Sequence, residues 1–559
     1  MSEAKPLTLH DLSTEQRLAL CFMVGSDSEA IADELEPFFG TGLGGVLWFR
    51  HHFNHIDTAQ DCRAYMADLR GRFGPNPLGF MGVDQEGGQV ERLPHWFFPT
   101  GCTALSYGRS RQLDLCRTVA EETARRLRWL GFNLNFAPTV DLNREQANPI
   151  IGVRAYGETV EAVMPFAQAV MAAHVQAGVL PVAKHFPGHG SGTVDSHLDL
   201  PVFGNWQPDE LDPYTELIHN HDPALGAVLV AHGLYPALCE RLGVDPSVVS
   251  SMNPGIIVQL LRDELGFGNG LVFSDDMTMG AIGKHTDPEE AALHVLDAGC
   301  DVLVYRQAQP LAWQVYSALL KRLRQGKLDE QRINEKAQRV WQTIQTLGAV
   351  DRPSFDEAAL SKTYCHDLAL GWVKQAMAEQ HHYVPSPLPL NQKKTWALVA
   401  PNQLDMVHYR DDLRQAPPLE GWLTQAGLKP AMHFNYPLPG VSRQREPDGG
   451  SGSQWPVWAE HPLDALVFVA FNALLDEAQQ RYYQRLVEAH PATKVVLVSV
   501  GMPTDGQVLV SGRSQTGMMG PWVHLCLPSY RPASQHALAQ WLGAPPKGFE
   551  SLSMAETTG

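Results

Sequence analysis

A chain of 559 residues, 44% hydrophobic and 19% charged, is too long for one ordinary domain and apolar enough to bury a large core. That sets aside global disorder and points to two to four domains. The formal net charge of −18 and pI of about 5.7, with no cluster of Lys and Arg, argue against nucleic acid as the main partner.

The opening segment MSEAKPLTLHDLSTEQRLAL has no basic stretch followed by an apolar core and a small-residue cleavage site, so it does not read as a signal peptide. No window reaches the roughly 18 continuous apolar residues that span a bilayer, and no membrane partner is expected. The eight cysteines (21, 62, 102, 116, 239, 300, 365 and 526) are scattered without a CxxC pair, which favours reduced, buried thiols over a disulfide or zinc framework. A soluble cytoplasmic enzyme is the simplest expectation.

Along the chain, short apolar runs alternate with helix-sized segments. The runs are 20–25, 44–49, 79–84, 133–140, 180–186, 226–232, 270–276 and 301–306. Segments such as CRTVAEETARRLRWLG and EAVMPFAQAVMAAHVQAG separate them and read as helices. Eight strand–helix units predict an α/β fold of the TIM (β/α)8 barrel type. Residues 331–380 carry helical patterning, and the proline-rich 381–390 stops it. Beyond, the runs 395–400, 464–471, 494–501 and 522–527 predict strands of a smaller C-terminal α/β domain. The expected division is 1–345 barrel, 346–392 helical segment and linker, and 393–559 second domain, with a mobile loop at 447–456 and a loose tail. Compatible roles for that domain are capping the cleft, setting substrate length, mediating a homodimer, or stabilising the barrel.

Polar residues gather at the carboxyl ends of the barrel runs: Asp84, Asp141, Lys184 with His185, His232, Asp275 with Asp276, and Arg306. Barrel enzymes build their sites at that face. The densest segment is KHFPGHGSGTVDSHLDLP, residues 184–201, which holds Lys184, His185, His189, Asp195 and His197. In an irregular loop Asp195 can accept a hydrogen bond from the His197 imidazole and orient it for acid–base work. The bland alternative is a loop satisfying its own backbone. A metal reading through His185 and His189 is weaker, because a Pro-Gly loop does not align two imidazoles as a helix does.

These segments together resemble the family 3 glycoside hydrolases, in the β-N-acetylhexosaminidase branch. KHFPGHG with DSH resembles one signature. GVDQEGGQVERL (82–93), NFAPTVDLN (135–143), NPIIGVRAYG (148–157) and LRDELGFGNGLVFSDDMTMGAI (261–282) match others in order, so the similarity covers roughly residues 10–345. The resemblance implies a retaining mechanism with Asp275 as nucleophile and His197, supported by Asp195, as acid/base, where most retaining glycosidases use a second carboxylic acid. It implies sugar binding by Asp84, Arg92, Arg154, Lys184 and His185, with no metal and no cofactor. Gly87 and Gly88 are expected to allow a tight turn, and Asp276 to have a structural role. Ser191-Gly192 depart from the commoner Asp-Thr, which touches loop closure and leaves the dyad intact. The implied substrate is a small glycan ending in β-N-acetylglucosamine, from peptidoglycan turnover. The rivals are a β-glucosidase, a phosphorylase, a metal-dependent hydrolase and a sugar-binding pseudoenzyme.

Overall fold

The apolar runs become strands because each is rich in Val, Leu and Phe and is buried on both faces, as a parallel sheet between helices requires. The computed structural model describes residues 8–146, 148–192, 200–219, 225–283, 286–306, 308–378, 395–401, 419–428, 430, 432–436, 463–470, 477–489, 493–500, 522–527 and 532–543. The proline-rich linker, the 447–456 loop and the tail expected from sequence lie outside them.

The first sheet comprises β1 (Phe22–Val24), β2 (Leu43–Trp48), β3 (Leu78–Val83), β4 (Leu134–Asn135), β5 (Leu180–Pro181), β6 (Ala183–Phe186), β7 (Ala227–Val230), β8 (Leu271–Asp276) and β9 (Val302–Tyr305). Their spatial order is β5-β4-β3-β2-β1-β9-β8-β7-β6. The two ends of that order, β5 and β6, are halves of one run flanking Val182. Its first half pairs with β4 and its second half with β7, all in parallel. Hydrogen bonds from Val182 N–H to the Asn135 carbonyl (3.0 Å) and from Val140 N–H to the Lys184 carbonyl (2.9 Å) carry the seam. The eight expected strands thus close on themselves as a barrel.

Caps punctuate the helices between them. The helix Leu113–Leu130 ends on Gly131 at φ 117°, and Pro288–Ala298 starts from the Asp287 carboxylate and ends on Gly299 at φ 118°. Both endings use the left-handed conformation that glycine takes without a Cβ penalty. The barrel interior is filled by Met23, Leu47, Phe80, Phe136, Leu229 and Phe273, among others. Phe273 meets Phe80 and Phe136 edge-on at 5.9 and 5.5 Å. At the amino-terminal mouth of the barrel the helix Glu330–Gly348 completes this core with Ala337, Val340 and Leu347.

That helix is tied down by a buried ion cluster. Asp301, at the start of β9, accepts from Arg262 Nη2 and the Val272 N–H through one oxygen (2.8 and 2.9 Å) and from Arg339 Nε through the other (2.9 Å). Arg339 belongs to the plugging helix, so one carboxylate joins β8, β9 and the plug.

The second sheet is parallel, with β10 (Trp396–Pro401), β11 (Met432–Tyr436), β12 (Ala465–Ala470), β13 (Lys494–Val500) and β14 (Trp522–Leu527) in the order β11-β10-β12-β13-β14. This is the doubly wound arrangement whose order reverses between β10 and β12. Sequence patterning predicted four of these strands and missed β11, whose MHFNY alternates polar and apolar residues as an edge strand does. The helix Lys362–Ala378 joins the two parts by packing on Pro532–Gly543, where His366 Nε2 lies 3.0 Å from His536 Nδ1 and both rings stack on Trp422.

Replacing Asp301 by Ala removes the shared acceptor of two part-buried guanidiniums and of the buried Val272 N–H. The expected loss is about 3–5 kcal/mol of stability, read as a lower denaturation midpoint. A loss of less than about 1 kcal/mol would remove the cluster from its structural role.

Candidate active site

At the carboxyl ends of the strands a continuous polar network runs from β3 to the segment after β6. Lys184 Nζ lies 2.7 Å from Asp84 Oδ1 and 2.6 Å from Glu86 Oε1. Arg154 grips Glu86 with two parallel bonds, Nε to Oε2 at 2.9 Å and Nη2 to Oε1 at 2.8 Å. The same Nη2 lies 3.3 Å from His185 Nε2, and His185 Nδ1 lies 2.7 Å from Asp141 Oδ2. Asp141 Oδ1 also accepts the His189 N–H at 2.8 Å. These contacts assign the His185 tautomer: Nδ1–H donates to Asp141 and Nε2 accepts from Arg154.

The network is buried, and the charges set one another. Burial alone raises the Glu86 carboxyl, but Arg154 and then Lys184 overcome it and hold Glu86 well below the usual carboxylate range. Burial likewise opposes ionisation of Asp141, and His185 outweighs it. For His189, burial and then the neighbouring His185 outweigh the opposing carboxylates of Asp141 and Asp275 and push it down to about 4, so the ring is neutral. Its ring packs edge-on against Phe203 at 4.9 Å.

The turn after β3 that delivers Asp84 and Glu86 needs its two glycines. Gly87 and Gly88 sit at φ 104° and 61°, and a Cβ on Gly88 would come 2.3 Å from Thr103 Cγ2. The turn expected from sequence is present.

Asp275 and Asp276 end β8. Asp276 is consumed by structure: its oxygens accept from the Thr278 N–H (3.0 Å), the Thr278 hydroxyl (2.7 Å) and the Arg306 N–H (3.0 Å). Asp275 accepts the Asp276 N–H at 2.8 Å and stands within electrostatic reach of His189 and His232. His232 is fully buried, with Nδ1 2.7 Å from Ser251 Oγ.

The structure therefore brings Asp84, Arg154, Lys184 and His185 into one network. It places Asp275 at the same face and Arg92 at the rim, its guanidinium 5.9 Å from the Phe49 ring centroid. Asp195 and His197 lie outside the described residues. Two buried carboxylates were not singled out from sequence. Glu86 is the hub of the network, and the available signal was its place two residues after Asp84 at a strand end. Glu210 is 2% exposed, and its Oε2 would come 2.6 Å from a Cβ on Gly188, beneath the loop that leaves β6.

Burial pushes the Glu210 carboxyl up to about 7 from an ordinary 4.5. The fold therefore binds this proton more tightly than the unfolded chain does. Its contribution is intact at pH below the ordinary value and is lost as pH rises through about 7. Glu210→Gln is expected to lose less melting temperature than the parent protein between pH 5 and pH 8, read by thermal unfolding at both. Parallel pH dependence in the two proteins would refute a buried neutral Glu210.

Comparison with known proteins places this site in a family. Residues 21–343 match the model of the glycosyl hydrolase family 3 N-terminal domain. The chain is 32% identical over 340 residues to β-hexosaminidase LpqI of Mycobacterium tuberculosis, covering 59% of this chain and 82% of that protein. It is 34% identical over 283 residues to a β-hexosaminidase of Chromobacterium violaceum, covering 48% of this chain and 73% of that protein. A solved family 3 β-N-acetylglucosaminidase from Paenibacillus superposes over 96% of this chain and 97% of its own, with a TM-score of 0.77 and 25% identity, so its architecture spans both parts of the chain. Among the described residues no helix is long and apolar enough to cross a membrane. With a parallel barrel, a charged network at its carboxyl mouth and a family match over most of the barrel, the chain belongs to glycosyl hydrolase family 3 and is a glycoside hydrolase.

Proposed function

We propose that the protein is a retaining exo-β-N-acetylhexosaminidase that removes terminal β-N-acetylglucosamine, with peptidoglycan turnover fragments in the cytoplasm as its substrates. The observation that carries this reading is the hydrogen-bonded chain Asp84–Lys184–Glu86–Arg154–His185–Asp141, aimed at the face where Asp275 ends β8. The relatives named β-hexosaminidase support the sugar specificity.

In this mechanism Asp84 and the unprotonated Nε2 of His185 accept hydrogen bonds from sugar hydroxyls, while Lys184, Arg154 and Arg92 donate to hydroxyl and carbonyl oxygens. Such charge-assisted bonds position the ring and strengthen as it flattens. Asp275 attacks the anomeric carbon. The glycosidic bond breaks, and its electron pair stays on the leaving oxygen, which takes a proton from His197 as imidazolium. A glycosyl ester of Asp275 forms. Water, deprotonated by the now neutral His197, attacks the same carbon and expels the Asp275 carboxylate, so β configuration is retained. Asp195 holds the His197 ring for both proton transfers.

Asp275→Asn is expected to lower kcat on an aryl N-acetyl-β-glucosaminide by at least about a thousandfold, since it removes the nucleophile. Activity near the parent level would refute the assignment. His197→Ala should damage turnover of substrates with poor leaving groups far more than that of activated aryl glycosides. Equal losses on both would take His197 out of the acid role.

A further inference from the structure

The helix Lys362–Ala378 is tied to the barrel along one side. Gln112 Nε2 donates to the Gln375 carbonyl at 2.8 Å, and Arg126, on the helix Leu113–Leu130, donates to Cys365 Sγ at 3.5 Å. On another side the same helix meets Pro532–Gly543 of the second domain, where His366 faces His536.

The two imidazoles lie within 15° of parallel, with centroids 5.3 Å apart and the facing nitrogens 3.0 Å apart. So short a nitrogen separation at that centroid distance requires the rings to meet edge to edge in nearly one plane. The Trp422 indole lies parallel to both, its centroid 5.1 Å from His366 and 4.6 Å from His536, and roofs the pair. The outer nitrogen of His536, Nε2, lies 2.9 Å from Gln540 Nε2. With Gln540 donating there, His536 Nδ1–H donates to His366 Nε2, so the facing nitrogens share one proton.

That arrangement tolerates one proton between the rings and not two. An N–H on each nitrogen removes the acceptor and sets two positive rings against each other. Cation–π attraction to the indole offsets part of the first added charge; the second proton takes the acceptor away. Around the pair, Asp367 favours protonation of both rings, while Lys362 opposes it at His366 and Lys374 at His536. Burial is the largest influence on each ring, followed at His536 by His366 itself, and both are held below the ordinary histidine value of 6.5. The folded pair therefore binds protons less tightly than the unfolded chain. Its contribution is whole above about pH 6.5 and is lost as pH falls from there toward the lower folded values.

We propose that the His366–His536 pair is an acid-sensitive latch, which fastens the second domain to the helix leaving the barrel at neutral pH and loosens it when both rings are protonated.

The test is hydrogen exchange in the full-length protein at pH 7.5 and pH 5, with rates corrected for the intrinsic effect of pH. Protection of the helix Pro532–Gly543 should fall by about tenfold in acid, the equivalent of a tenfold weaker proton affinity in the folded pair. The barrel helix Leu113–Leu130 should keep its protection. In His366→Gln, which can still hydrogen-bond and does not titrate, the fall should shrink to less than about threefold. His536→Gln should behave alike and serves if the first variant folds poorly. A fall of parental size in a folded variant, no fall in the parent, or equal falls in both helices overturns the latch.

Discussion

The burial of Glu86 between Arg154 and Lys184 is the constraint on which the site depends. An isolated carboxylate or guanidinium taken this far from water costs several kcal/mol, and only close pairing offsets it. Glu86 comes from the turn after β3, Arg154 from a short turn between β4 and β5, and Lys184 from β6. Two turns and a strand are thus fixed relative to one another by charge neutralisation, and His185 and Asp141 are drawn in at the end of the same chain of bonds. The donors at this face do not have to be ordered when a ligand arrives.

Adjacent acids in one strand end show how the same chemistry is divided. Asp275 and Asp276 are indistinguishable by type, yet Asp276 is saturated by a turn and by the neighbouring strand. Its oxygens shape the end of β8 and hold Arg306 in place. Asp275 accepts the Asp276 N–H and stands within electrostatic reach of His189 and His232.

Much of the barrel was legible because it needs only local information: eight buried apolar runs, helices with caps between them, and polar residues where the runs stop. Asp84, Arg154, Lys184 and His185 were legible through motifs, and they meet in space. Glu86 escaped because its meaning depends on an arginine 68 positions later, which no local pattern signals. Glu210 escaped because a carboxylate in a short helical turn reads as solvent-facing. In the second domain β11 escaped because MHFNY lacks the continuous apolar character of a central strand. Asp276 was expected to be structural because the resemblance gives the nucleophile's place to Asp275, and its three accepted hydrogen bonds show how.

The pairing of β1 with β9 joins residues near position 23 to residues near 304. Ring closure of this kind is the most non-local strand pairing in the barrel among the described residues, and loop-closure entropy delays such contacts in folding. On the ribosome, the pocket cannot exist until β9 has emerged, and the plug helix must follow before the interior is sealed from water. Through most of its synthesis the nascent chain is an open sheet with apolar faces, and its dependence on chaperones should be greatest just before the last strand arrives.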